Sequence, residues 1–264
     1  MSDTDSAGFP WHDFNMLGTR IAATNIPELL DVVDHAIESK QPLSVAFAGV
    51  HGIMEAQDSD EVREAYAGVS VRVPDGMPLV VAGRLVHGIK GVDRCYGPDF
   101  MLAAMERSVS RGHRHFFFGG TEGVADDLRA EMERRFPGLD VVGTYTPPFR
   151  PLTEGELTEL EGTLKDLKPD CFWVGISTPK QERFMYENLH RLPVSTMFGV
   201  GAAFDFHTGR VKQAPRWMQR MCLEWLYRAF REPRRLMGRY VKSNPRFMWR
   251  YFLQVTKLRR YPLD

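Results

Sequence analysis

Asp75 is the first residue in this chain whose setting suggests chemistry. It follows the apolar run Val71–Pro74 and precedes Gly76, and apolar sequence resumes at Met77. Asp-Gly is a common turn dipeptide, so a turn corner is one reading. The other is a carboxylate at the C-terminal end of a buried strand, with apolar sequence on both sides. Such a site desolvates the group and raises its basicity, as a general base requires.

Two further stretches carry polar or phosphate-binding residue types. In "FFFGGTEGV" (116–124) a strand runs into Gly119-Gly120-Thr121 and then a helix. Glycines there let backbone N–H groups approach an anion at a helix N-terminus, although the same residues also make an ordinary tight turn. The stretch is neither G-x-G-x-x-G nor a Walker A loop. In "VGISTPKQE" (174–182) hydroxyls at Ser177 and Thr178 precede Pro179, Lys180, Gln181 and Glu182. In isolation this is a helix cap followed by helix formers. Metal ligation finds little support. Asp58-Ser59-Asp60 sits in a polar helix-turn segment and reads as capping, His113 and His115 sit one residue apart at a strand entrance, and no H-x-x-x-H spacing or nucleophile-elbow serine occurs. Neither a metal nor a cofactor is expected.

The elements that must position these residues alternate. Helix is expected at 26–39, strand at 42–50, helix or turn at 52–70, and strand at 71–74 resuming after the Asp75-Gly76 turn. Helix then spans 97–112, and strand-helix pairs follow from His115 to about residue 208. The last of these strands lies in "VSTMFGVGAAFDF" (194–206). This order predicts an α/β fold, a Rossmann-like, mostly parallel sheet with crossover helices. Ligands bind such sheets outside the C-terminal strand ends. Those ends carry Ala48-Gly49, Pro74-Asp75-Gly76, Gly119-Gly120-Thr121, Thr146-Pro147-Pro148, Ser177-Thr178-Pro179 and Gly199–Asp205. The expected organisation is a flexible leader at 1–20, a catalytic domain at 21–208 and a helical appendage at 209–264.

The 264 residues carry no net charge, but residues 210–264 hold fifteen Lys and Arg against Glu224, Glu232 and Asp264. Aromatic residues such as Trp217, Trp225, Phe230 and Trp249 are interleaved with these charges. A basic, aromatic tail suits phosphates, nucleic acid or an anionic bilayer. Three scattered cysteines give neither a disulfide framework nor a metal spacing. An acidic, polar start without an apolar h-region predicts no signal peptide, and no apolar run is long enough to span a membrane. A cytoplasmic location is expected.

Taken together, "HGIMEA" (51–56), "VPDGMPLV" (73–80), "FFFGGTEGVADDL" (116–128), "VGISTPKQE" (174–182), "FGVGAAFDFHTG" (198–209) and "APRWMQRMCLEWLYRAFREPRRLMGRY" (214–240) resemble the WecG/TagA/CpsF glycosyltransferases, glycosyltransferase family 26. The resemblance implies an inverting, metal-independent enzyme of bacterial envelope or exopolysaccharide synthesis. It would transfer a hexose-type sugar from a UDP-sugar to a polyprenyl-pyrophosphate-linked saccharide. Asp75 matches the family's general base, and Arg228, Arg235 and Arg239 match arginines expected to stabilise the departing diphosphate. Gln181 matches the Gln of P-K-Q-E; with Gly49, Gly76, Gly119, Gly120, Thr146 and Gly201 it is expected to bind the sugar donor. Phe47, His51 and Asp205 are expected in the acceptor or sugar pocket. The chain departs from the family at Phe47-Ala48-Gly49, where many members carry Thr and Asn, and at Gln213, where they often carry Arg; the transferred sugar stays open. The resemblance also implies peripheral attachment to the inner face of the cell membrane through the appendage. A homo-oligomer is possible and no nucleic-acid partner is expected. The alternatives are a basic-tailed nucleic-acid-binding protein and a family member that binds UDP-sugar without catalysis.

Overall fold

The computed structural model describes residues 8–263. In chain order the elements are β1 (Asp13–Met16), β2 (Thr19–Ala22), α1 (Ile26–Ser39), β3 (Leu43–Ala48), α2 (Val50–Asp58), α3 (Asp60–Gly68), β4 (Val71–Pro74), α4 (Met77–Leu85), α5 (Gly97–Arg111), β5 (Arg114–Gly119), α6 (Val124–Arg135) and β6 (Asp140–Tyr145). Then follow α7 (Glu154–Leu167), β7 (Cys171–Gly175), α8 (Lys180–Asn188), β8 (Thr196–Gly199), α9 (Ala203–His207), α10 (Arg216–Arg220), α11 (Glu224–Arg231) and α12 (Pro233–Val255). Six strands form one sheet in the order β4-β3-β8-β7-β5-β6. The β3–β8, β8–β7, β7–β5 and β5–β6 pairings are all parallel. At β4, the Asp75 N–H donates to Ala48 O at 3.0 Å, so the C-terminal ends of β4 and β3 lie at the same edge. This is the Rossmann-like α/β arrangement that the alternating pattern predicts.

Two local expectations need correction. The apolar residues after Asp75 form a helix, α4, and do not resume a strand. Pro78 occupies its first turn, where a missing N–H costs nothing, and Leu79, Ala82 and Gly83 are buried at helical spacing. In 194–206, only Thr196–Gly199 is strand; Ala203–His207 is a short helix.

The described residues divide into two compact units, one of residues 8–26, 47–96 and 212–263, the other of 27–46 and 97–211. The C-terminal residues thus share a unit with N-terminal ones. In this first unit Phe14, Met16, Leu17, Ile21, Ile53, Met54, Tyr66, Leu79, Phe247 and Tyr261 share one core. Residues 13–20, expected in a loose leader, instead form most of the antiparallel hairpin β1–β2; residues 1–7 of that leader lie outside the described residues. The hairpin turn is Leu17-Gly18, both at positive φ (53° and 85°), as a two-residue type I′ turn requires. Leu17 tolerates this because its surroundings fix it: its N–H donates to Gln254 Oε1 at 2.9 Å, and its carbonyl accepts from Gln57 Nε2 at 2.7 Å. Asn15 Nδ2 donates to Tyr261 O at 2.7 Å. Asp58 receives both Nη1 and Nη2 of Arg246, at 2.7 and 2.5 Å, joining the end of α2 to α12. Ser59 caps α3, as its sequence predicts.

The second unit is built on the aromatic centre of the sheet. Phe116, Phe117, Phe118, Phe172, Trp173 and Phe198 are almost fully buried. His115 lies among them with its Nδ1 accepting from Trp173 Nε1 at 3.0 Å, and burial lowers its pKa to about 3, so it is a neutral core histidine.

Candidate active site

In the first unit, the end of β4 places Asp75 beside Gly49. A Cβ built on Gly49 would stand 4.0 Å from Asp75 Oδ2, and one on Gly76 would stand 3.8 Å from Gly49 Cα. The two glycines thus keep the carboxylate's flank free of side chains. Gly49 also caps α2 without a side-chain hydrogen bond, leaving backbone N–H groups at that N-terminus.

Asp75 is held from behind by Arg94. The Arg94 Nε donates to Asp75 O at 2.5 Å, Nη1 to Gln219 Oε1 at 2.9 Å and Nη2 to Glu224 Oε2 at 2.6 Å. The guanidinium lies 3.9 Å above the Tyr96 ring, and Tyr96 Oη donates to Glu224 Oε1 at 3.2 Å. Burial alone would lower the pKa of Arg94, but the Asp75 and Glu224 carboxylates more than reverse this, and it is raised. Burial, then Glu224 and Asp75, raise Tyr96, so it stays a neutral phenol. Gln219 Nε2 donates to Ala214 O at 2.8 Å, tying down the loop ahead of α10.

His51 stands in the first turn of α2. Burial, then the charges of Arg239 and Lys242, lower its pKa to about 4. It is therefore neutral, and its 3.6 Å approach to Glu55 Oε1 is too long for a hydrogen bond and is not an ion pair. Arg239 is itself half-buried, and Arg235 and Arg228 both act on it electrostatically. The three arginines singled out in the sequence thus form one positive cluster. Glu232 partly offsets it: it pairs with Arg235, and its Oε1 is 4.0 Å from Arg228 Nη2. Phe47, expected in the sugar pocket, is buried in β3 at 7% exposure. A cavity of about 350 Å³ elsewhere in this unit is lined by residues including Trp11, Asp13, Arg20 and Arg72, and touches none of these groups.

In the second unit the glycine loops serve close packing. Gly119 has φ 144°, and a Cβ on it would come within 2.6 Å of the Gly175 backbone. A Cβ on Gly120 (φ 75°) would meet Val124 Cβ at 2.6 Å, and the Gly120 N–H donates to Gly175 O at 3.1 Å. Gln181 is buried at 2% exposure. Its Nε2 donates to Gly199 O at 2.6 Å and Glu182 Oε1 at 3.1 Å, while its Oε1 has no hydrogen-bond partner. A Cβ on Gly201 (φ 53°) would stand 3.5 Å from that Oε1. Thr146 is exposed just past β6. Beside it Phe149 is 96% exposed with Lys180 Nζ 4.4 Å from its ring. Asp205 lies in α9, and its backbone carbonyl accepts from Val211 N at 3.1 Å. Phe47 and His51 therefore belong to one unit and Asp205 to the other.

Residues 14–261 match the model of the WecG/TagA/CpsF glycosyltransferase family. The chain belongs to this family. The glycosyltransferase is also 27% identical, over 194 residues, to an N-acetylglucosaminyldiphosphoundecaprenol N-acetyl-beta-D-mannosaminyltransferase of Bacillus spizizenii; the match covers 74% of this chain and 72% of the relative.

Sequence reasoning missed Arg94, Tyr96, Gln219 and Glu224, one hydrogen-bonded set that holds the Asp75 backbone carbonyl through Arg94. Arg94 and Tyr96 lie outside any helix or strand, where no periodicity marks them. Glu224 did leave a trace: it is one of three acidic residues in the basic segment 210–264, where an odd charge points to a specific partner. Among the described residues no group of three or more His, Cys, Asp and Glu could hold a metal ion, and no helix is long and apolar enough to cross a membrane.

Proposed function

We propose that this glycosyltransferase moves a hexose-type sugar from a UDP-sugar onto a polyprenyl-pyrophosphate-linked saccharide ending in N-acetylglucosamine, with inversion and without a metal, in envelope polysaccharide synthesis. The acceptor class follows the activity for which the Bacillus relative is named. The observation that carries the chemistry is the pairing, within one unit, of a strand-end carboxylate flanked by Gly49 with an arginine cluster on α11 and α12.

In this reading the Asp75 carboxylate takes the proton of the acceptor hydroxyl. The oxygen attacks C1 of the transferred sugar, the bond from C1 to the diphosphate oxygen breaks, and UDP leaves with the electron pair. Direct displacement inverts C1. Negative charge growing on the diphosphate needs preorganised cations, and Arg228, Arg235 and Arg239 supply them. His51, neutral in the free protein, is an acceptor-pocket candidate. Gly119, Gly120, Thr146, Gln181 and Gly201 are candidates for recognising the sugar donor.

The C-terminal segment also supports attachment to an anionic bilayer on the inner face of the cell membrane. Trp217, Met221, Phe230, Met248, Trp249, Phe252 and Leu258 are all more than half exposed amid the basic residues of 210–264. Exposed aromatic and basic side chains together bind anionic bilayer surfaces.

The test incubates the protein with a panel of UDP-sugars and a short-chain polyprenyl-pyrophosphate-linked N-acetylglucosamine in EDTA, read by mass spectrometry. A one-sugar mass gain that survives EDTA and vanishes in Asp75→Asn supports the reading. Transfer undiminished in Asp75→Asn removes Asp75 as the base, and transfer abolished by EDTA removes the metal-free mechanism.

A further inference from the structure

We infer that Arg94 and Glu224 form a clasp that fixes the Asp75 loop and the start of α11 together, so that base and leaving-group cation are set in place by one ion pair. Both are positioning residues, and the inference rests on Asp75 being the base.

Arg94 reaches three separate pieces of the unit. Its Nε holds the backbone carbonyl of Asp75, its Nη2 holds Glu224 and its Nη1 holds Gln219. The pair is mostly buried, at 13% and 18% side-chain exposure. A surface pair would be worth little, but a mostly buried pair that also satisfies other polar groups fixes geometry. Glu224 is held on both carboxylate oxygens, by Arg94 and by Tyr96 Oη, so it cannot swing away without losing two bonds. It is the first residue of α11, and Arg228 follows one turn later on the same face. Arg228 is close enough to act on Tyr96 electrostatically. Only arginine, with five N–H groups in a planar fork, can reach three acceptors from one rigid centre; a lysine ammonium is a single compact charge.

The clasp also sets the charge next to the base. Glu224 neutralises Arg94, leaving Asp75 beside a balanced pair. Tyr96 and the Cys222 thiol also face Arg94, Tyr240 faces Glu224, and Arg228 acts on both tyrosines. Removing either partner unbalances the pair in opposite senses. Glu224→Gln leaves Arg94 acting alone on Asp75, which weakens the base. Arg94→Gln leaves the Glu224 carboxylate alone, which raises the affinity of Asp75 for a proton.

The experiment measures kcat, KM and the pH profile of kcat/KM in the full chain, using whichever UDP-sugar of the panel is transferred. The variants are Glu224→Gln, Arg94→Gln, Arg94→Lys and Tyr96→Phe, with Asp75→Asn as control and thermal unfolding and UDP binding measured on each. We expect kcat to fall about 10- to 100-fold in Glu224→Gln and Arg94→Gln, with KM for the sugar donor changed less than about threefold. The acid limb should move down in Glu224→Gln and up in Arg94→Gln, each by at least about half a pH unit. Arg94→Lys should restore the limb but not kcat, because charge returns without the fork. Tyr96→Phe, which loses only one bond to Glu224, should lower kcat about two- to fivefold. Limbs that do not move, or move the same way in both variants, overturn the clasp when Asp75→Asn is inactive and the variants stay folded and bind UDP. Full transfer by Asp75→Asn overturns the base assignment, and the clasp with it.

Discussion

Arg94 in one unit and Gln181 in the other each donate to a backbone carbonyl at or just past a strand end, Asp75 O and Gly199 O respectively. What surrounds them differs. Arg94 is charge-paired with Asp75 and Glu224, and Tyr96 and Tyr240 lie within reach of both this set and the arginine cluster, through Arg228 at Tyr96 and through Arg228 and Arg239 at Tyr240. Gln181 is buried, with its Nε2 bonded to Gly199 O and Glu182 Oε1 and with Gly199 and Gly201 packed closely against its amide. The first arrangement has the groups to move a proton and stabilise developing charge; the second offers close packing and a buried amide. The same fold thus concentrates charged groups beside β4 and close packing beside β5, β7 and β8.

The sharpest way to break this contrast is Asp75→Asn. If the first unit carries the chemistry, kcat falls about 10²- to 10⁴-fold while UDP binding is kept, as measured by transfer rate and calorimetry. Among the cations, Arg228, at 20% side-chain exposure, should matter more than Arg235, at 51%. Arg228→Gln is expected to cost about 100-fold in kcat and Arg235→Gln about tenfold or less, since water screens an exposed charge. Equal losses would mean that burial does not set the strength of the cluster.

For the second unit the expected effects are on stability. Gly119→Ala places a methyl 2.6 Å from the Gly175 backbone at a φ of 144°, and should lower stability by about 2–4 kcal/mol in urea unfolding. Gln181→Met should cost about 1–2 kcal/mol through the unpaired Gly199 carbonyl. A loss of UDP affinity beyond about tenfold in folded Gln181→Met would sharpen the comparison differently, giving this unit a direct part in recognition.

His115 probes the second unit through pH. Its folded pKa, about 3, lies below the ordinary 6.5, so the unfolded chain binds the extra proton between these values. The stability it contributes is complete above pH 6.5 and is lost as pH falls toward 3. His115→Gln keeps an acceptor for Trp173 and cannot titrate, so its urea midpoint should fall less steeply over that window.

The alternating fold was legible because each buried strand is a short apolar run bounded by glycine or polar residues, and each crossover helix shows its own periodicity. Asp75 was legible for the same reason: a carboxylate at the end of such a run is conspicuous. The Leu17-Gly18 turn was not, since leucine at positive φ has no sequence signature. It is held there by Gln254, which is 237 residues away. Nor did composition show that the basic segment completes a core. Its arginines and aromatics announce a surface, while Leu236, Ser243 and Phe247, buried on the inner side of α12, are scattered among them.

The chain alone determined the α/β order, the loops at the strand ends, the charge asymmetry and the carboxylate at 75, because each depends on neighbours in sequence. Tertiary structure decided that residues 8–26, 47–96 and 212–263 form one unit, and that Arg94, Tyr96, Gln219 and Glu224 meet next to the Asp75 carbonyl. Bonds between residues more than a hundred positions apart leave no local pattern; they arise only when burial removes water and each polar group must find its partner within the fold.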